Sequence, residues 1–125
     1  MIEEGMDILD LGAYSSRPGA DFVSSEVEQE RLLQVLPEIV KEFPDLLISI
    51  DTFRSEIARI SFNEGAAIIN DISGGEQDEK MFQTVAELGM PYVLMHMRGT
   101  PQTMTELTNY EDILKEMYQY FDSKL

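Results

Sequence analysis

Cysteine is absent from the 125 residues, so no disulfide can stabilise the fold. Basic residues are scarce: nine lysines and arginines face 24 aspartates and glutamates, a formal charge of −15. That balance disfavours long-range attraction to nucleic acid phosphates or anionic membrane surfaces. No apolar run approaches the roughly 20 residues needed to cross a bilayer, so no membrane segment is expected. The residues after Met1, IEEGMD, lack the basic start and apolar stretch of a secretory signal, which makes the cytoplasm the expected location. Internal repeats, low-complexity tracts and linkers are missing as well, and residues 1–125 read as one domain. Histidine occurs once, at His96, and no cluster of side chains has metal-ligand spacing.

What the chain does contain is a repeated alternation. Four apolar runs end in polar or glycine residues: DILDLGAYSSRPG (Asp7 to Gly19), ISIDT (Ile48 to Thr52), IINDISGG (Ile68 to Gly75) and VLMHMRGTP (Val93 to Pro101). Their apolar parts predict strands at Met6 to Gly12, Leu46 to Asp51, Ala66 to Asn70 and Tyr92 to His96. An amphipathic helical stretch follows each one. Strand and helix in strict alternation predict an α/β chain with a parallel sheet, whose ligands bind at the C-terminal ends of the strands.

Local signals refine this pattern. Ser25 with Glu28 reads as a capping box for the first helix, where Leu32, Leu36, Ile39, Val40 and Phe43 recur at helical spacing. Pro37 predicts a kink or a new start near Leu36, because proline lacks the backbone donor and crowds the preceding turn. The second helix is expected from Phe53 to Glu64, with Gly65 closing it, and the third at Met81 to Leu88, with Gly89 as its cap. The last helix is expected to start at an Asn109 cap and to carry Tyr110, Ile113, Leu114, Met117 and Phe121 on one apolar side.

Several polar residues sit where these strands end. Asp51 closes an apolar strand, a costly place for a carboxylate that has neither a partner nor a task, although a helix N-cap or a structural hydrogen bond would also account for it. Asn70 offers both a donor and an acceptor. Asp71 beside it points the opposite way in an extended strand and reads as a helix or turn anchor. Gly74 and Gly75 lack the spacing of a dinucleotide or Walker loop and read as turn residues. His96 reads as a structural histidine, and Arg98 either approaches a phosphate or pairs with a nearby acid. The loop after the first strand is long and rich in serine, glycine and proline, the kind of connection that often carries function.

The order and wording of these four segments resemble dihydropteroate synthase, from about Ile2 to the end of the chain. SSRPG after an Asp-X-Gly strand is the most specific piece; the family usually reads Ser-Thr-Arg-Pro-Gly there. The resemblance implies a partial (β/α)8 TIM barrel of about four consecutive βα units. It also implies the condensation of p-aminobenzoate with 6-hydroxymethyl-7,8-dihydropterin diphosphate, giving dihydropteroate and diphosphate in folate biosynthesis, a reaction that sulfonamides block. By resemblance Asp51 is the catalytic residue that binds the pterin ring, Asn70 binds it beside Asp51, and Ile72 and Met95 line the pterin pocket. Ser16, Arg17 and Pro18 belong to a loop that covers p-aminobenzoate. Ser16 stands in place of the family's threonine, keeping the hydroxyl and losing the methyl, and Tyr14 replaces an acidic residue found in many members. Magnesium is expected on the substrate's phosphates, its protein ligand lying outside these residues. The family's remaining strands are expected before Met1 and after Leu125, so the 125 residues alone are expected to be inactive and to expose barrel edges through which copies could associate. The alternatives are a pterin-binding methyltransferase of the corrinoid type, against which SSRPG argues, and a non-catalytic half-barrel fragment that serves binding or assembly.

Overall fold

The computed structural model describes residues 4–15, 17, 20–100 and 103–125. Four strands, β1 (Ile8–Gly12), β2 (Leu47–Asp51), β3 (Ile68–Asp71) and β4 (Tyr92–Leu94), form one parallel sheet in sequential order. Helices α1 (Ser25–Glu42), α2 (Ser55–Asn63) and α3 (Met81–Leu88) connect them, and α4 (Ile113–Lys124) follows β4 after a short 3₁₀ turn, Met104–Glu106. The expected βα alternation is therefore present; β1, β2 and β3 start one or two residues later than the apolar runs suggest, and β4 ends two residues earlier, at Leu94. Among the described residues no helix is long and apolar enough to cross a membrane.

The two faces of the sheet have different fates. Leu32 and Leu36 of α1, Ile57 and Ala58 of α2 and Met81 and Val85 of α3 pack on Ile48, Ile50 and Ile69, all nearly or fully buried. Alternation along a strand sends the neighbouring side chains to the other face. The register pairs Asp10 with Ser49, Gly12 with Asp51, and Asp51 with Asn70. These residues therefore share the face that no described helix covers, together with Ile8, Leu47 and Val93, each about half exposed. Among the described residues, helices thus cover β2 on one face only.

Three local expectations are corrected. The N-cap of α1 is Ser24, whose Oγ accepts from the Val27 backbone N–H at 3.4 Å. Glu28 is then one position too deep for a capping box and turns inward, where it is 1% exposed. α1 runs as one helix through Pro37 with no new start there, its inner side held by the buried Leu32 and Leu36; packing outweighs the single backbone bond that a proline forfeits. Finally, α4 begins three residues later than expected, because Asp112 rather than Asn109 caps it, accepting from Lys115 N–H at 3.1 Å. Ile113 and Leu114 remain exposed, and the contacts of α4 run instead through Tyr120, Phe121 and Lys124.

Candidate functional site

Polar groups gather at the C-terminal end of the open face. Asp51 is the last residue of β2, with Gly12 on one side in register and Asn70 on the other. A Cβ at Gly12 would lie 3.3 Å from Asp51 Cβ and 3.5 Å from Asp51 Oδ2, so glycine there leaves the carboxylate its space. Asn70 Nδ2 donates to Asp10 Oδ2 at 3.0 Å. A carboxylate only accepts, so this bond fixes the amide's orientation and leaves Asn70 with its carbonyl oxygen and one N–H for a ligand.

No donor among the described residues reaches the Asp51 carboxylate. Burial, reinforced by the negative charges of Asp10, Asp71 and Glu28, pushes its pKa up to about 6. The helix-cap reading of Asp51 also fails, because the first N–H of α2, that of Ser55, is taken by Asp78 Oδ2 at 2.7 Å. Burial would raise Asp78, but its bonds from Ser55 and Lys80 outweigh that and hold it below the ordinary carboxylate range.

Asp71, next in sequence to Asn70, lies on the other face and is fully buried. Its Oδ1 accepts from Ser73 N–H and Ser73 Oγ, both at 2.7 Å, and its Oδ2 accepts from Tyr92 Oη at 2.7 Å and Gly75 N–H at 3.0 Å. Burial and the bond to Asp71 push the Tyr92 phenol far up. The turn reading of Gly74 has a steric cause as well: its φ is +58°, and a Cβ would lie 2.0 Å from Tyr120 Oη.

The other sequence-derived residues are spread around this centre. Ile72 borders a cavity of about 490 Å³, along with Tyr14, Phe22, Phe53, Met97 and Thr100, although Asp51 and Asn70 are not part of its lining. Met95 borders a separate cavity of about 360 Å³ beside His96 and Arg98. Arg17 is exposed, its backbone carbonyl accepting from Ala20 N–H at 3.1 Å. Ser16 and Pro18 lie outside the described residues. His96 packs edge-on against Tyr120, ring centroids 4.8 Å apart. Arg98 holds its own loop: it donates to the Asn109 carbonyl at 2.6 Å, lies over the Tyr110 ring at 4.5 Å and sits 3.8 Å from Glu116.

Sequence reasoning passed over Arg54 and Asp10, and gave Glu28 only a capping role. A single charged side chain in a loop or on a helix looks solvated until its distant partner is known. The one signal for Asp10 was its place two residues before Asp-X-Gly closes, inside an apolar strand.

The family model described as pterin binding enzyme matches residues 1–125. The chain belongs to the pterin binding enzyme family. This family member is 42% identical over 125 residues to the dihydropteroate synthase of Synechocystis sp., covering 100% of this chain and 43% of that protein. It is 49% identical over 122 residues to the mitochondrial folate synthesis bifunctional protein of Arabidopsis thaliana, covering 94% of this chain and 22% of that one. Among solved structures, the Yersinia pestis dihydropteroate synthase with a sulfonamide drug complex superposes with a TM-score of 0.92 at 31% identity, covering 98% of this chain and 44% of that one. The Xanthomonas albilineans dihydropteroate synthase with 4-aminobenzoic acid gives 0.87 at 36% identity, over 98% and 42%. The chain thus spans less than half the length of these relatives. Its four parallel strands and alternating helices match the corresponding part of those structures, as a partial barrel.

Proposed function

We propose that this chain is the pterin-holding part of a dihydropteroate synthase, and that the whole protein joins p-aminobenzoate to 6-hydroxymethyl-7,8-dihydropterin diphosphate. The observation that carries this reading is the Asp51–Asn70 pair: in register on the open face, with Asp51 lacking any described donor of its own. A 2-amino-pyrimidinone edge carries two neighbouring N–H groups that suit an ionised carboxylate, and charge-assisted pairing of this kind is short and strong. The carbonyl oxygen of Asn70 accepts from a further ring N–H. Asp51 then has two tasks. It orients the ring, and its negative charge stabilises the positive charge that develops on the pterin as diphosphate departs.

The amine of p-aminobenzoate attacks the methylene carbon, the bond to diphosphate breaks, and the amine's proton is released. The loop that holds Arg17, with Ser16 and Pro18, is assigned to p-aminobenzoate, and Ile72 and Met95 to the pterin's flanks. Magnesium, bound to the phosphates, would neutralise the leaving group. Among the described residues no group of three histidine, cysteine or acidic side chains is arranged to hold a metal ion. The names of the relatives favour the synthase over a corrinoid methyltransferase.

The test is dihydropteroate formation by the whole protein, with and without Asp51→Asn. The reading expects activity in the parent and a loss of about 100-fold or more in pterin affinity by calorimetry in the variant, the size of two charge-assisted hydrogen bonds. Unchanged pterin affinity in the variant would overturn it.

A further inference from the structure

One buried charge lies outside the chemistry described so far. Glu28 is 1% exposed in the first turn of α1, on the same buried face as Leu32 and Leu36, where leucine would pack at no electrostatic cost. Its Oε1 accepts from Thr52 Oγ1 at 2.7 Å, and its Oε2 pairs with Arg54 Nη1. Thr52 directly follows Asp51, and its hydroxyl oxygen also accepts from Arg54 N–H at 3.2 Å. The base of Arg54 is therefore fixed to the end of β2.

The rest of the guanidinium faces the segment between β1 and α1. Arg54 Nη2 donates to the Val23 carbonyl at 2.7 Å. Its Cζ lies 5.3 Å from the Tyr14 ring centroid, 5.7 Å from that of Phe22 and 4.9 Å from that of Phe53. Tyr14 and Phe53 also meet edge to face, centroids 5.2 Å apart. Tyr14 stands at the beginning of the segment, and Phe22 and Val23 at its end. A single cation is thus shared by both ends, and Phe22 keeps its place although 77% exposed.

A planar guanidinium suits this task, because it can stack on rings and donate in its own plane at the same time. Arg31, which donates to the Ala13 carbonyl at 3.1 Å, adds a second tie at the start of the segment.

We propose that Arg54, held by Glu28, is a positioning residue that fixes Tyr14, Phe22 and Val23, at the two ends of the β1–α1 connection, against the end of β2 and so sets the binding of the aromatic amine substrate, independently of the pterin. This deepens the synthase reading and rests on it. A plain structural pair between helices would have no reason to present its cation to Tyr14 and Phe22; positioning of the segment does.

The test uses the whole protein and two readouts. In Arg54→Met, the KM for p-aminobenzoate should rise about tenfold, while the KM for the pterin diphosphate stays within twofold. Arg54→Lys, which keeps the charge for Glu28 but loses the plane, should fall between parent and Arg54→Met. Equal rises in both KM values, or no change in either, would overturn the proposal. Hydrogen exchange reads the positioning without any activity: amides of residues 13–15 and 20–23 should exchange about tenfold faster in Arg54→Met, with β2 and β3 unchanged. Exchange that is unaltered in the segment, or accelerated throughout, would overturn it. Should Arg54→Met fail to fold, Phe22→Ala removes one ring at an exposed position and should give the same pattern at smaller size; no acceleration there overturns the proposal too. A parent protein that makes no dihydropteroate would sink the synthase reading, and the exchange pattern would still decide the role of Arg54.

Discussion

Asp51 and Asp71 end neighbouring strands of the same sheet, yet the fold treats them in opposite ways. Asp71 faces the helices, is fully buried, and receives four hydrogen bonds from Ser73, Gly75 and Tyr92. Asp51 faces the open side, receives none from the described residues, and is pushed up to about 6 by burial and by the charges around it. The first carboxylate is consumed in shaping the β3–α3 turn. The second is left with its hydrogen-bonding capacity unspent, which is what a ligand requires. The difference lies in strand parity: Asn70, not Asp71, shares a face with Asp51, so an Asn-Asp pair in sequence places one residue in the site and the other in the scaffold.

The largest expected consequence follows from removing the satisfied partner. Asp71→Ala leaves the Tyr92 hydroxyl, the Ser73 hydroxyl and two backbone donors without an acceptor, and it should cost about 4 kcal/mol in urea unfolding, as for other broken buried networks. If it were neutral, the contrast between the two carboxylates would collapse.

Removing Asp51 should do the reverse, and its effect on stability depends on pH. The folded pKa, about 6, lies above the ordinary carboxylate value of 3.8. Protonated Asp51 is therefore favoured by folding, and that favourable contribution is lost as pH rises through about 6. Asp51→Asn should match the parent protein at pH 4 and exceed it by about 1 kcal/mol at pH 7.5, a modest figure because the group is partly exposed and solvent-screened. A variant that is less stable at both pH values would mean that Asp51 has a structural partner after all.

The smallest effect is expected at Gly12. Gly12→Ala should leave stability within about 1 kcal/mol, since alanine suits a strand better than glycine does. The new methyl crowds Asp51 Oδ2, however, and pterin affinity should fall about fivefold by calorimetry. An unchanged affinity would show that the carboxylate does not need that space.

The alternation of strands and helices was legible because apolar runs with glycine and proline punctuation are a local signal. Asp51 and Asn70 were legible because a polar residue at the end of an apolar strand stands out, and the turn role of Asp71 followed from parity alone. The charges that organise the site were not legible. Ser24 and Ser25 are adjacent at the start of α1, and the sequence pattern of Ser25 with Glu28 satisfies a capping box; only the contact with Arg54, 26 residues away, shows that Glu28 is spent elsewhere. Similarly, Asn109 and Asp112 are both competent caps. The choice between them is made by tertiary ties such as the bond from Arg98 to the Asn109 carbonyl, which holds that residue in the loop.

The account turns on Asp51 being a strained carboxylate that awaits a partner. The direct measurement is the titration of the Asp51 side-chain carboxyl carbon by NMR in the whole protein without ligand, assigned by its disappearance in Asp51→Asn. A midpoint near 6 is the predicted result; a midpoint near 4 would mean that the carboxylate is already solvated or satisfied, and would contradict the account.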